Sequence, residues 1–283
     1  MKGEAEVPPC GLREERKCRE KLMLRWAALL WLYFELLTRV EGSLTMDGAS
    51  RRLFAMEMHD VAQTLALIHT SPTLTPVFSA LCAATMPEVR LFHMVDESLI
   101  QDTVREGRLR RKTIWRLLGM IDSAEAAGAD AVMVTCSSIG AGVALGQKLF
   151  DMPVIRVDEA MAERAVRMGR RIGVMATLKT TLEPTLELLE EKAREAGRTI
   201  ELVPALCEGA FEAVLRGDTV THDRILSHAL RSDLSGVDVV VLAQASMARV
   251  VKAMGEGALP MPVLSSPELA VQQAGALLRA EQA

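Results

Sequence analysis

The sequence predicts an α/β fold of two pseudo-symmetric, doubly wound lobes with parallel sheets and an interlobe cleft. Three observations carry this. From Gln63 onward, short apolar runs alternate with longer helical periods, the pattern of parallel strands joined by helices. The order of these elements then repeats. Finally, Gly128-Ala129-Asp130 with the apolar run to Thr135-Cys136-Ser137-Ser138 aligns without a gap on Gly236-Val237-Asp238 with the run to Ala243-Gln244-Ala245-Ser246. Glycine, aspartate, apolar run and final serine coincide.

In order along the chain, Leu65–His69 is a continuous apolar run, as expected of a strand buried on both faces. Val89–Val95 and Asp130–Thr135 are further strands. Helical periods cover Pro76–Thr85 and Lys112–Ala127, the second stopped by Gly128. The later half gives a strand at Arg171–Met175, a helix at Glu183–Ala196 stopped by Gly197, and strands at Ile200–Val203 and Asp238–Leu242. The expected lobes are 60–160 and 161–283. Open α/β sheets bind ligands at the carboxyl ends of their strands, so the site is expected there.

Residues 1–55 read differently. Arg13, Arg16, Lys17, Arg19, Lys21 and Arg25 precede an apolar stretch from Trp26 to Phe34, which Glu35 interrupts. The layout is similar to a signal peptide, but it is short for a spanning helix and lacks a small-x-small cleavage site. It is read as an N-terminal extension outside the fold. A free thiol proposed for chemistry fits a reducing compartment, so the expected location is cytoplasmic, with no membrane partner.

Composition narrows the partners. A formal charge of -4 and 4% aromatics leave no basic face with interleaved aromatics, so no nucleic acid is expected. Cys10, Cys18, Cys82, Cys136 and Cys207 have no metal-ligand spacing, and no metal is expected. There is no GxGxxG after a strand, no Walker A motif and no Gly-x-Ser-x-Gly elbow. Association into a homo-oligomer is left open.

Three predicted strand ends carry small polar groups. They are His69-Thr70-Ser71-Pro72-Thr73, Thr135-Cys136-Ser137-Ser138, and Thr177 followed by Lys179-Thr180-Thr181. Hydroxyls and free amides at helix starts suit a carboxylate, although serine and threonine there also serve as plain N-caps. Cys136 is the most informative residue. A cysteine entering a helix sits near its positive end, which is expected to lower the thiol pKa and favour thiolate. Such a group can act as base, acid or nucleophile. A small buried apolar residue is the alternative, and Cys82 and Cys207 are read that way. His69 ends the first strand, either as a cleft group or as a hydrogen-bonded structural histidine. His93 is read as structural.

Val134-Thr135-Cys136-Ser137-Ser138, the duplicated halves and Leu242-Ala243-Gln244-Ala245-Ser246-Met247 resemble the aspartate/glutamate/hydantoin racemase superfamily, from about Leu65 to Leu278. The resemblance implies a cofactor-independent enzyme that binds a small carboxylate or related compound between its lobes. It also implies a cysteine at the central strand end of each half, one removing a proton beside a carbonyl and the other returning it. Cys136 matches the first, whereas the second position holds Gln244. A glutamine amide does not titrate in the accessible range. Cys136 and Gln244 are therefore the candidate catalytic pair. His69, Ser71, Thr73, Thr135, Ser137, Ser138, Thr177, Ala245 and Ser246 are candidate substrate contacts. The expected function is a racemase or isomerase of a small carboxylate. A single-cysteine decarboxylase and an inactive two-lobed binding protein are the alternatives.

Overall fold

A computed structural model describes residues 62–255 and 257–280. The proposed extension at 1–55 lies outside the described residues. The strands are β1 (Thr64–His69), β2 (Arg90–Val95), β3 (Ala131–Val134), β4 (Val154–Arg156), β5 (Arg171–Ala176), β6 (Glu201–Leu206), β7 (Val239–Leu242) and β8 (Val263–Ser265). The α-helices are α1 (Thr75–Thr85), α2 (Glu97–Glu106), α3 (Arg111–Ala126), α4 (Gly140–Leu149) and α5 (Glu159–Met168). They continue as α6 (Lys179–Glu195), α7 (Ala210–Leu215), α8 (Thr219–His228), α9 (Ala248–Met254) and α10 (Ser266–Ala280).

Two four-stranded parallel sheets result, ordered β2-β1-β3-β4 and β6-β5-β7-β8. The central strands are apolar on both faces because helices cover both sides. The correspondence between halves extends to register. Leu65 pairs with Ala131 in the first sheet, and the equivalent Ile172 pairs with Val239 in the second.

The repeated Gly-x-Asp has a physical cause. Gly128 and Gly236 adopt φ of 84° and 78°, left-handed values that end the preceding helical segment without a Cβ penalty. The aspartate two residues on then ties its strand to the central neighbour. Asp130 Oδ2 accepts from the Thr64 amide at 2.7 Å, and Asp238 Oδ2 from the Arg171 amide at 2.8 Å. Each carboxylate satisfies an amide at a strand start and thereby sets the register on which the far strand ends depend.

Two helices cross between lobes. α5 follows β4, yet Met161, Ala162, Ala165 and Val166 pack with Ile172, Val174, Val239 and Val241 of the second sheet. α10 follows β8, yet Ala270, Val271, Ala274 and Leu278 pack with Leu65, Leu67, Phe78 and Met133 of the first. Residues 266–280 thus complete the core of the first sheet although they follow the second in sequence. The apolar residues of α10 form one helical stripe. Burying it against the first sheet stabilises the pairing by about 1.5–3 kcal/mol for each fully buried Val or Leu.

Candidate active site

Cys136 follows β3 and precedes a 3-10 turn, Ser137–Ile139, that leads into α4. The turn reverses the chain sharply enough to bring two backbone amides back onto the sulfur. Hydrogen bonding from the Thr70 hydroxyl, the Ser138 and Ile139 amides and the Ser138 hydroxyl acts to lower the thiol's pKa. All four favour thiolate, but burial acts the other way and is the largest influence, so the thiol lies above its ordinary value. This corrects the expectation of a depressed thiol: the helix-end donors are present, and desolvation outweighs them. At rest the group is a neutral thiol, surrounded by donors that stabilise the anion once a proton has left.

The Ser138 hydroxyl also meets the Thr181 hydroxyl at 2.8 Å, which joins the Cys136 turn to the start of α6 in the second lobe. The Thr180 hydroxyl beside it is buried without a hydrogen-bond partner among the described residues.

Gln244 stands beyond β7 as Cys136 stands beyond β3, again preceding a 3-10 turn, Ala245–Met247. Its Oε1 accepts from the Thr177 amide at 2.7 Å and the Thr177 hydroxyl at 2.9 Å. A backbone amide only donates, so the atom facing it must be the oxygen, which fixes the orientation of the side-chain amide. The Nε2 hydrogens then point away from Thr177 as donors. Thr177 stands to Gln244 as Thr70 stands to Cys136, one residue beyond the central strand of each sheet.

The remaining candidates separate by environment. Ser137 and Ser138 are buried within the Cys136 turn, and Thr177 is buried against Gln244. Ala245 is half-buried and Ser246 exposed. The Ser71 and Thr73 hydroxyls bond each other at 2.8 Å, and Ser71 caps no amide although it precedes a short 3-10 turn. Thr135 and His69 are buried and face each other. His69 Nδ1 lies 2.8 Å from Thr135 Oγ1, and His69 Nε2 lies 2.9 Å from His93 Nδ1. Both ring nitrogens of His69 are thus engaged within the protein, and the ring presents no free polar atom to a ligand.

Burial, followed by the neighbouring His93, pushes His69 down to about 4 from 6.5. The unfolded chain therefore takes up a proton between pH 6.5 and about 4 that the folded chain refuses. The stability this group contributes is full above 6.5 and is lost as pH falls toward 4. Melting temperature is expected to drop across that window, and His69→Ala/Thr135→Ala is expected to flatten the dependence. An identical slope in the double variant would refute this.

Arg156 and Asp158 did not stand out in the sequence. Arg156 donates from Nε and Nη2 to the Asp158 carboxylate at 2.7 and 3.1 Å, and from Nη2 to the Pro184 carbonyl of α6 at 3.1 Å. The pair is buried, and its guanidinium lies so close over Gly140 that a Cβ there would overlap it. This clasp ties β4 and the start of α4 to the second lobe. Arg-x-Asp after a short strand is the only trace it leaves in the sequence.

A cavity of about 300 Å³ near Gln147 and Gln273, and another of about 650 Å³ along the Arg105–Lys112 turn, include neither Cys136 nor Gln244. Among the described residues, no three His, Cys, Asp or Glu side chains gather as a metal site, and no helix is long and apolar enough to cross a membrane.

Two matched parallel sheets, each with a polar residue held by a threonine at its central strand end, define a two-lobed, internally repeated α/β protein with one thiol at its candidate site. The Asp/Glu/hydantoin racemase family model matches residues 66–274, and the chain belongs to that family. Its fold is similar to glutamate racemase RacE1 from Bacillus anthracis (TM-score 0.63, 15% identity, covering 77% of this chain and 82% of that one). Allantoin racemase from Klebsiella pneumoniae is also similar (0.56, 17%, 77% and 89%). So is aspartate racemase from Picrophilus torridus (0.57, 14%, 76% and 94%). No curated protein matches the chain in sequence.

Proposed function

We propose that the chain is a cofactor-independent isomerase that moves a proton at the carbon beside the carboxyl or carbonyl group of a small carboxylate, with Cys136 as its one proton carrier. The observation that carries this is the place of Cys136 beyond β3, entering the 3-10 turn that leads into α4, where hydrogen bonding from Thr70, Ser138 and Ile139 favours a thiolate formed there. Cys136, once its resting proton has passed to solvent, takes the substrate proton as thiolate and becomes a thiol again, leaving an enolate-like anion. A proton from solvent then completes the opposite face, and the thiol gives its proton back to solvent and is again thiolate, so the configuration is inverted and the cycle closes. Gln244 Nε2, oriented through Oε1 by Thr177, donates to an oxygen on which charge develops.

Gln244 also favours a second reading, a single-cysteine decarboxylase. With one proton carrier, delivery comes from one face only. The anion left by loss of carbon dioxide needs no more than that.

Amino acids, hydantoins, maleate and substituted malonates incubated in heavy water distinguish these readings. Catalytic deuterium uptake at the carbon beside the carboxyl, without loss of carbon dioxide and abolished by alkylating Cys136, is expected for the isomerase. Uptake only with release of carbon dioxide supports the decarboxylase. Turnover that survives alkylation of Cys136 removes both.

A further inference from the structure

A hydrogen-bonded chain lies beneath the thiol and has no counterpart in the other lobe. It runs from Ser79 of α1 through His93 of β2 and His69 of β1 to Thr135, just beyond β3. Ser79 Oγ lies 2.9 Å from His93 Nε2, His93 Nδ1 2.9 Å from His69 Nε2, and His69 Nδ1 2.8 Å from Thr135 Oγ1. The Thr135 hydroxyl donates to the Ile68 carbonyl at 3.1 Å, so it accepts from His69 Nδ1. The remaining protons follow: His93 Nδ1–H donates to His69 Nε2, and Ser79 O–H to His93 Nε2. Each link holds one proton, and both imidazoles are neutral.

The internal repeat provides a control. Matching β1 to β5, β2 to β6 and β3 to β7 by register places Ala176 at His69, Pro204 at His93 and Ala243 at Thr135. The backbone bond from Thr135 N to Ile68 O recurs as Ala243 N to Met175 O, so the match holds at the strand ends. The fold therefore forms these strand ends without the polar chain, which is present only in the lobe that carries the thiol.

Successive residues of a strand point to opposite faces. His69 and Thr135 meet on the face toward α1, where His69 lies against Phe78. The residues that follow each, Thr70 and Cys136, come next in the same parallel register, and Cys136 packs with the opposite core. A contact on one face thus sets the spacing of the contact on the other.

We propose that His93 and His69 are positioning residues for Cys136: through Thr135 they hold the ends of β1 and β3 at the separation at which the Thr70 hydroxyl meets the sulfur. The importance of this rests on Cys136 being the acting thiol. The test needs no substrate, so it succeeds or fails independently of the isomerase reading.

The probe is iodoacetamide, with alkylation of Cys136 followed by peptide mass across a pH series. Buried Cys82 of the same lobe reports any opening. His93→Leu breaks the chain, whereas His93→Gln keeps one donor and one acceptor. With Cys82 still protected, His93→Leu is expected to slow Cys136 alkylation at neutral pH by about tenfold, as one lost hydrogen bond to the thiolate would. His93→Gln is expected to recover to within about twofold of the parent. A parental profile in folded His93→Leu, or an equal loss in His93→Gln, overturns the proposal. If His93→Leu exposes Cys82, His69→Ala/Thr135→Ala, which copies the Ala176 and Ala243 pair, decides. Slowed alkylation with Cys82 protected supports the proposal, and a parental profile or exposed Cys82 overturns it.

Discussion

Replacing Cys136 by alanine is expected to lower turnover by about three orders of magnitude or more, since it removes the only proton carrier proposed for the reaction. The fold is expected to survive. The residue lies beyond the end of β3, half-buried, and its loss removes one sulfur from an edge of the first core. The cost is about 1 kcal/mol, small beside the deletion of a large buried side chain. Circular dichroism melts and turnover on whichever substrate takes up deuterium check the two halves of this expectation. Cys136→Ser tests it further: the hydroxyl keeps the hydrogen bonds but is a far weaker acid, so it is expected to be nearly as inactive. Substantial activity in either purified variant would sink the proposed mechanism.

Gln244→Cys is the complementary gain. The Thr177 amide and hydroxyl that now hold Oε1 are expected to meet the new sulfur instead, as the Thr70 hydroxyl meets Cys136. A second thiolate site would then exist in the other lobe with its donors already in place. Racemisation of a chiral substrate or analogue is expected to rise by about 10²-fold or more, because proton delivery from the second face no longer waits on solvent. Chiral chromatography of product formed over time measures it. Gln244→Ala, by contrast, is expected to weaken turnover by about tenfold or more through loss of the oxygen-facing donor. No gain in racemisation from a folded Gln244→Cys protein would show that the two strand ends do not serve one substrate.

The repeat was legible because its determinants are local. A glycine with positive φ, an aspartate that ties amides and a run of apolar residues each leave a mark at fixed spacing. β4 and β8 were not foreseen, since Val154–Arg156 and Val263–Ser265 are too short to show a period. α6 begins earlier than expected, at Lys179, and runs through Pro184, which lies inside the helix and leaves the Thr180 carbonyl without its usual helical donor. The destination of α10 was not legible at all: its apolar stripe states that it packs, not on which sheet. At the candidate site, the equivalent places of Cys136 and Gln244 at repeated strand ends were legible. The direction of the thiol shift was not, because desolvation depends on which residues surround the sulfur in space. The engagement of both His69 nitrogens depends in the same way on His93, which pairs with Leu67 across strands distant in sequence.

The exchanged helices α5 and α10 have a consequence for ancestry. A half-length chain ending in the equivalent of α5 would leave part of one face of its own sheet uncovered and carry a helix with no sheet to cover. Two such chains could satisfy each other by reciprocal exchange, as a swapped homodimer. In that dimer every substitution appears twice, so a thiol at one strand end entails a thiol at the other. Joining the two copies into one polypeptide ends that constraint. Thr135 and Ala243, His93 and Pro204, Cys136 and Gln244 are then free to differ, and the two sides of one site can be given different tasks.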